Sequence, residues 1–401
     1  MRGISNKLYE TDYCLKAGEI RLERIYVDHA ATSPMQHNVI NAMVKVMNEN
    51  FGNPSSIHSF GREARKLMDE ARIGIARSIG AEANELIFTS GGTEADNLAL
   101  FGVAEANRNK GNHIITTVVE HHAILHSCQQ LEKIGFDVTY LPVDKTGRIS
   151  VQSVKEALRD DTIIVSIMYG NNEVGTLQPI AEIGELLAGH QALFHTDAVQ
   201  AYGLEPINVH ELHIDLLSVS AHKINGPKGI GFLFVKKDLK LSPRSFGGEQ
   251  ERKRRAGTEN VTSIAGFKKA IEISHQELEV KRERYIRFKE LFMKRLRDNE
   301  VVFQQNGNVE NSLPHVLNLS FPGTNVESLL VNMDLAGLAV SSGSACTAGS
   351  IDPSHVLVAM FGKESDRITN SVRFSFGIFN TEEQIEKAAE ETSKIIRRLA
   401  K

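Results

Sequence analysis

The 401-residue chain has three cysteines, Cys14, Cys128 and Cys346, too few and too scattered for a disulfide framework. That usage fits a reducing compartment, and the cytoplasm is the expected one. No apolar run approaches the roughly 18–20 residues that a membrane-spanning helix needs. Residues 1–10 lack the hydrophobic core of a secretory signal. Neither sign of charge dominates: 46 Lys and Arg stand against 50 Asp and Glu, a formal net charge of −4. The whole chain therefore gives no signal for nucleic acid or an anionic membrane, and no membrane or direct nucleic-acid partner is expected, although a local basic patch stays open. There are no internal repeats and no low-complexity tract.

What is present is ordinary in amount, 41% hydrophobic and 24% charged, and long enough for two domains with real cores. Apolar runs of strand length alternate with helical patterns: residues 86–89, 113–119, 138–141, 162–168, 192–196, 216–219 and 230–235. Several are apolar throughout, as strands buried on both faces are, and the intervening helical patterns predict an α/β fold with a mostly parallel sheet. After residue 260 the pattern changes. A charged amphipathic stretch over about 263–298 reads as one helix linking two domains, followed by short strands at 316–320 and 372–375. A terminal helix starts at Thr381, whose Thr-Glu-Glu-Gln opening is a capping box. Residues 1–24 read as a loosely attached polar extension.

Chemistry collects at the strand ends. Ser90-Gly-Gly-Thr-Glu94 opens a helix directly after a strand, where close-approaching amides and the helix dipole suit a phosphate; a plain N-cap turn has the same pattern. Lys223 follows an apolar strand and precedes Gly226-Pro227, so its ammonium is placed to be desolvated and become a Schiff-base nucleophile, or else to be a surface lysine. Ser220 and His222 beside it are suitable phosphate donors. Asp197 ends another apolar strand, at the sheet edge where ligands of open α/β folds bind; helix capping is its plainer use. His121 and His122 end a further strand without a carboxylate or cysteine at metal-ligand spacing, so no metal is expected and a ring stacked on a cofactor fits better. Jointly, a phosphate cradle, a desolvated lysine and a carboxylate are what pyridoxal 5'-phosphate requires.

From about Ile25 to the C-terminus the chain resembles the cysteine desulfurases, the NifS/IscS-like branch of fold-type I pyridoxal phosphate enzymes in the class-V aminotransferase family. The motifs are Tyr26-Val-Asp-His-Ala-Ala-Thr32, Gly52-Asn-Pro-Ser-Ser56, Ser90-Gly-Gly-Thr-Glu94, Glu120-His-His-Ala123, Asn171-Asn-Glu-Val-Gly175, His195-Thr-Asp-Ala-Val-Gln200, Arg255-Ala-Gly-Thr-Glu-Asn260 and the small-residue run around Cys346. The resemblance implies a large cofactor-binding domain (34–278) with a seven-stranded, mainly parallel sheet. A smaller α+β domain (25–33 and 279–401) would carry the Cys346 loop. It implies Lys223 as the residue joined to the cofactor aldehyde, Asp197 on the pyridine nitrogen and Gln200 on the ring hydroxyl. His121 would stack on the ring and assist proton transfer, and Gly92, Thr93, Ser220 and His222 would hold the phosphate. Thr258 matches a residue that completes the phosphate site from a second subunit, hence a homodimer. Asn172 and Arg373 would grip the carboxylate of L-cysteine.

The implied reaction yields L-alanine and a persulfide on Cys346, which passes to an acceptor protein, a tRNA thiolation enzyme or an iron–sulfur scaffold. The finer likeness is to Gram-positive desulfurases serving tRNA thiolation. Other readings are a selenocysteine lyase or an aminotransferase of the same fold, or a non-catalytic cofactor-binding assembly subunit. An aminotransferase has no use for a thiol in a small-residue loop, and a non-catalytic subunit has no use for both Lys223 and Cys346. Cys128, on an apolar helical stripe, reads as core, and Cys14 as incidental. Two departures stand out. Ala221 replaces the usual glycine beside Lys223, so either its φ is negative or strain is stored there. The chain also stops soon after its last helix, so a C-terminal tail for scaffold docking is expected to be missing. The small residues at 341–350 predict a mobile surface loop presenting Cys346.

Overall fold

The computed structural model describes residues 23–342, 346–347, 350–351 and 353–400. Its centre is a seven-stranded sheet: β1 (Leu86–Thr89), β2 (His113–Thr117), β3 (Asp137–Leu141), β4 (Thr162–Ser166), β5 (Leu193–Asp197), β6 (Leu216–Ser220) and β7 (Gly231–Val235). The spatial order is β1-β7-β6-β5-β4-β2-β3, and only β7 runs against its neighbours. The continuous apolar runs follow from coverage on both faces. Successive residues fall alternately into two cores: Ile115, Val165, Leu217 and Phe234 into one, Ile114, Ile164, Leu216 and Leu233 into the other. Each such buried side chain contributes about 1.5–3 kcal/mol. Every strand except β7 ends at the same sheet edge, so 90–93, 120–121, 171–172, 197–200 and 220–223 become neighbours there.

A second, three-stranded antiparallel sheet has Val316–Ser320 at its centre, flanked by Gln304–Asn306 and Ser371–Ser375. Its own core packs Phe288 and Phe292 of helix Leu278–Asp298 against Phe374 and Phe376, with Ile385 and Ala388 of the terminal helix. Val372 and Phe374 point into that core, so the period-2 alternation turns Arg373 to the other side. Thr381 caps the terminal helix by accepting from the Gln384 amide.

The stretch expected to be one helix over 263–298 is two, Val261–Gln276 and Leu278–Asp298, broken at Glu277 (φ −106°, ψ 9°). No Gly or Pro marks the break. It lets Lys281 fold back, buried, to donate to the Gly203 carbonyl at 2.9 Å and the Ser274 hydroxyl at 2.5 Å. Residues 1–22 of the expected extension lie outside the described residues; Glu23 pairs with Lys387 at 2.6 Å. Of the expected mobile loop, the main chain forms a short hairpin pairing Cys346 with Ile351 and Thr347 with Ser350. The Cys346 thiol lies outside the described residues.

Candidate active site

A cavity of about 350 Å³ opens at the C-terminal edge of the large sheet, a volume within the usual range of small-molecule sites. Gly92, Thr93, His121, Asn172, Asp197, Gln200, Ser220, His222, Lys223 and Arg373 all line it. Thr258 is not in that lining and is exposed.

Lys223 rides on a 3-10 turn, Ala221–Ile224, that leaves β6 and is closed by Asn225 in the left-handed conformation (φ 61°). A strap from Ala30 to Gln36 holds the turn: the Ser33 amide donates to His222 O, and the Gln36 amide to Asn225 O. The Lys223 ammonium donates to the carbonyls of Ala30 and Ala31 at 2.5 and 2.7 Å. Burial and the neighbouring Arg373 charge push its pKa down to about 8, against the pull of Asp197 and Asp28. The amine is thus poised to lose its proton near neutral pH, as a Schiff-base nucleophile must. Ala221, fully buried, is not among the residues with positive φ, so the departure from glycine stores no backbone strain.

Asp197 ends β5, with one oxygen accepting from the Val199 amide at 2.9 Å. Burial raises its pKa to about 6. Beneath it lies a buried layer that sequence reasoning left unassigned. Asp96, from helix Gly92–Ala106, has an oxygen 3.7 Å from His195 Nε2. That His195 nitrogen also meets Ser218 Oγ, while Nδ1 meets Ser166 Oγ. Burial keeps this imidazole neutral, at about 3. Burial also pushes the Asp96 carboxyl well up, and Asp197 pushes it further. The position of Asp96, four residues into the glycine-led helix, was the only available signal, and it looks like any helix carboxylate. Asp28, paired with Arg373, was also missed; it stood inside a quoted motif with no visible partner.

His121 caps helix His122–Lys133, its Nδ1 accepting from the Ala123 amide at 3.1 Å, which leaves the ring proton on Nε2. Burial, with the charges of Lys223, His122 and His126, lowers it to about 4, so it is a neutral ring at pH 7. His222 bonds Thr32 Oγ1 at 3.1 Å and is likewise lowered to about 4, by burial and then by Lys223. Gln200 bridges Ala30 O and His315 Nε2. Arg373 donates to Asn172 O at 3.0 Å and Asp28 at 2.8 Å, and its buried Nε has no partner among the described residues. No group of three or more His, Cys, Asp or Glu among the described residues is placed to hold a metal.

The residues fit pyridoxal phosphate on structural grounds. Helix Gly92–Ala106 starts at Gly91 (φ 148°) without a side-chain cap, so its first amides are left for an outside acceptor. At Gly92 a Cβ would come within 2.7 Å of Val199, so a side chain there would crowd the floor of the cradle. A buried carboxylate, a depressed lysine and a neutral imidazole face one another across the cavity.

Comparison with known proteins agrees with this fold. The family model for class-V aminotransferases matches residues 25–388. A Bacillus subtilis (strain 168) protein with the provisional name cysteine desulfurase IscS 1 is 65% identical over 378 residues, covering 94% of this chain and 100% of that one. Cysteine desulfurase IscS of Dictyoglomus turgidum is 47% identical, covering 94% of this chain and 95% of its own. A solved NifS-like protein superposes with a TM-score of 0.88 at 34% identity, over 94% of this chain and 100% of that one. The chain therefore belongs to the class-V aminotransferase family, in its cysteine desulfurase branch, whose members are pyridoxal phosphate enzymes.

Proposed function

We propose that this chain uses pyridoxal phosphate to take sulfur from L-cysteine, leaving L-alanine and a persulfide on Cys346. The observation that carries this reading is that Lys223, the buried Asp197 carboxylate and Arg373 line one cavity. When bound, the cofactor supplies an electron sink that lets the Cα–H and Cβ–S bonds of L-cysteine break. Lys223 would hold the aldehyde, and its amine would carry the Cα proton; at about 8 that amine changes protonation state within the working range. Asp197 would face the ring nitrogen with its negative charge, Gln200 would meet the ring hydroxyl, and Gly92, Thr93, Ser220 and His222 would hold the phosphate. The neutral His121 ring would pack on the cofactor and assist proton transfer. Arg373 and Asn172 hold the substrate carboxylate. Cys346, as thiolate, accepts the sulfur.

Thr258, exposed in one chain, completes the phosphate site of a second copy, so the working unit is a homodimer. The persulfide then passes to an acceptor protein for tRNA thiolation or iron–sulfur assembly, in the cytoplasm. The domain division is 34–278 against 25–33 with 279–401, the cavity lying between them.

Incubating the purified protein with L-cysteine and a thiol reductant is expected to give L-alanine and sulfide in equal amounts, from a protein with visible cofactor absorbance. A colourless protein that yields no alanine would sink the reading. Alanine formed by Cys346→Ser at the wild-type rate would sink the persulfide step alone.

A further inference from the structure

The reading above leaves Asp28 without a task, yet its two oxygens are separately engaged. One accepts from Arg373 Nη2 at 2.8 Å, in an ion pair whose side chains are 6% and 15% exposed. The other accepts from Ser341 Oγ at 2.8 Å. Ser341 is also tied main chain to main chain with Arg373: the Arg373 amide donates to Ser341 O at 2.7 Å and the Ser341 amide to Arg373 O at 3.3 Å. Ser341 stands five residues before Cys346. Arg373 therefore has a resident anion, a bond to Asn172 O, and a buried Nε–H without a partner among the described residues.

A second carboxylate arriving at this guanidinium meets the first. The two anions share one cation in a poorly hydrated setting, where like charges repel strongly. Resting on the reading that Arg373 takes the substrate carboxylate, we propose that Asp28 is a positioning residue of that subsite. It fixes the guanidinium, competes with the incoming carboxylate for it, and through Ser341 ties the subsite to the chain leading into Cys346. One side chain would then set both how tightly an amino acid is held and how the sulfur-accepting segment is anchored.

Asp28→Asn keeps the shape and removes the charge. The dissociation constant for L-alanine, titrated through the visible absorbance of the holoenzyme, is expected to fall about tenfold, with KM for L-cysteine following and kcat nearly unchanged. Ser341→Ala keeps the ion pair, so its dissociation constant should match wild type while kcat for sulfur release falls roughly threefold to tenfold. Asp28→Ala leaves the guanidinium without its anchor and should raise KM. A purely structural Asp28 would lower the thermal midpoint in Asp28→Asn and leave alanine affinity as in wild type; that result overturns the proposal, as does weaker binding. Wild-type kcat in Ser341→Ala overturns the link to Cys346. A wild type that makes no alanine overturns the functional reading instead, so the two failures are distinguishable.

Discussion

The large and small sheets reach the same cavity with their charges prepared in opposite ways. Under the cavity, the large sheet holds two buried groups, His195 and Glu120, in their neutral forms: His195 lies between two serine hydroxyls, and Glu120 accepts from the Thr117 hydroxyl and the Met168 amide. At the wall, the small sheet keeps an ion pair, Arg373 with Asp28, and leaves the buried Arg373 Nε–H without a partner among the described residues. The floor is thus tuned by desolvation and the wall by pairing. Desolvation shifts proton affinities and so sets reactivity, whereas an incompletely satisfied guanidinium sets recognition. Substitutions in the floor should therefore act on kcat and on the pH dependence of stability, and substitutions in the wall on KM.

The largest effect expected is in the floor. Lys223→Ala should abolish alanine formation, by about 10⁴-fold or more, and remove the cofactor's visible absorbance. Cys346→Ser should lose sulfide release to a similar degree with the absorbance kept. Arg373→Ala tests the wall: kcat/KM should fall about 10²- to 10³-fold, mostly through KM. A loss confined to kcat would erase the distinction between the two regions.

Glu120 sharpens the comparison through pH. Burial pushes its carboxyl up to about 8, against its hydrogen bonds to the Met168 amide and Thr117 hydroxyl. Native Glu120 keeps a proton that the unfolded chain releases near 4.5. Its contribution to stability is therefore complete below that value and lost as pH rises through about 8. Glu120→Gln imitates the protonated group. Its stability relative to wild type should improve by on the order of 3 kcal/mol between pH 5 and pH 8, read from urea midpoints. A flat difference would show that Glu120 is charged in the native protein.

Cys128 is the control within the floor. It is fully buried, and burial holds its thiol far above the usual range, so it is an inert filler. Cys128→Ala should cost about 1 kcal/mol of stability and leave alanine formation unchanged. Slower turnover in this variant would count against the core assignment.

How much of this was legible in the sequence depended on whether a residue's task is local. Apolar strands flanked by helical patterns revealed the large sheet, because coverage on both faces demands side chains that are apolar throughout. That Lys223, Asp197 and Thr93 meet at one cavity was legible since each stands at a strand end or helix start. Asp96 and Asp28 were not: the meaning of each comes from a partner about 100 and 345 residues away, His195 and Arg373. The break at Glu277 was hidden for the same reason, since it answers to the Gly203 carbonyl reached by Lys281 rather than to a helix-breaking residue.

Ala221 gives the smallest effect and a direct check on the floor. Glycine at such a position suggests a need for positive φ, but Ala221 has none, and its turn closes instead with the left-handed strain placed on Asn225. The Gly226 amide donates to Ala221 O at 3.0 Å, and a Cβ on Gly226 would stand 2.7 Å from that oxygen. The close approach in this turn thus falls on Gly226, and Ala221 is free to carry a methyl into the core. Ala221→Gly should then lose about 0.5–1 kcal/mol of stability through backbone entropy and the lost methyl, with turnover within about threefold of wild type. A gain in turnover beyond that would mean that the methyl restrains Lys223. The floor would then be held partly by packing on the lysine turn as well as by desolvation.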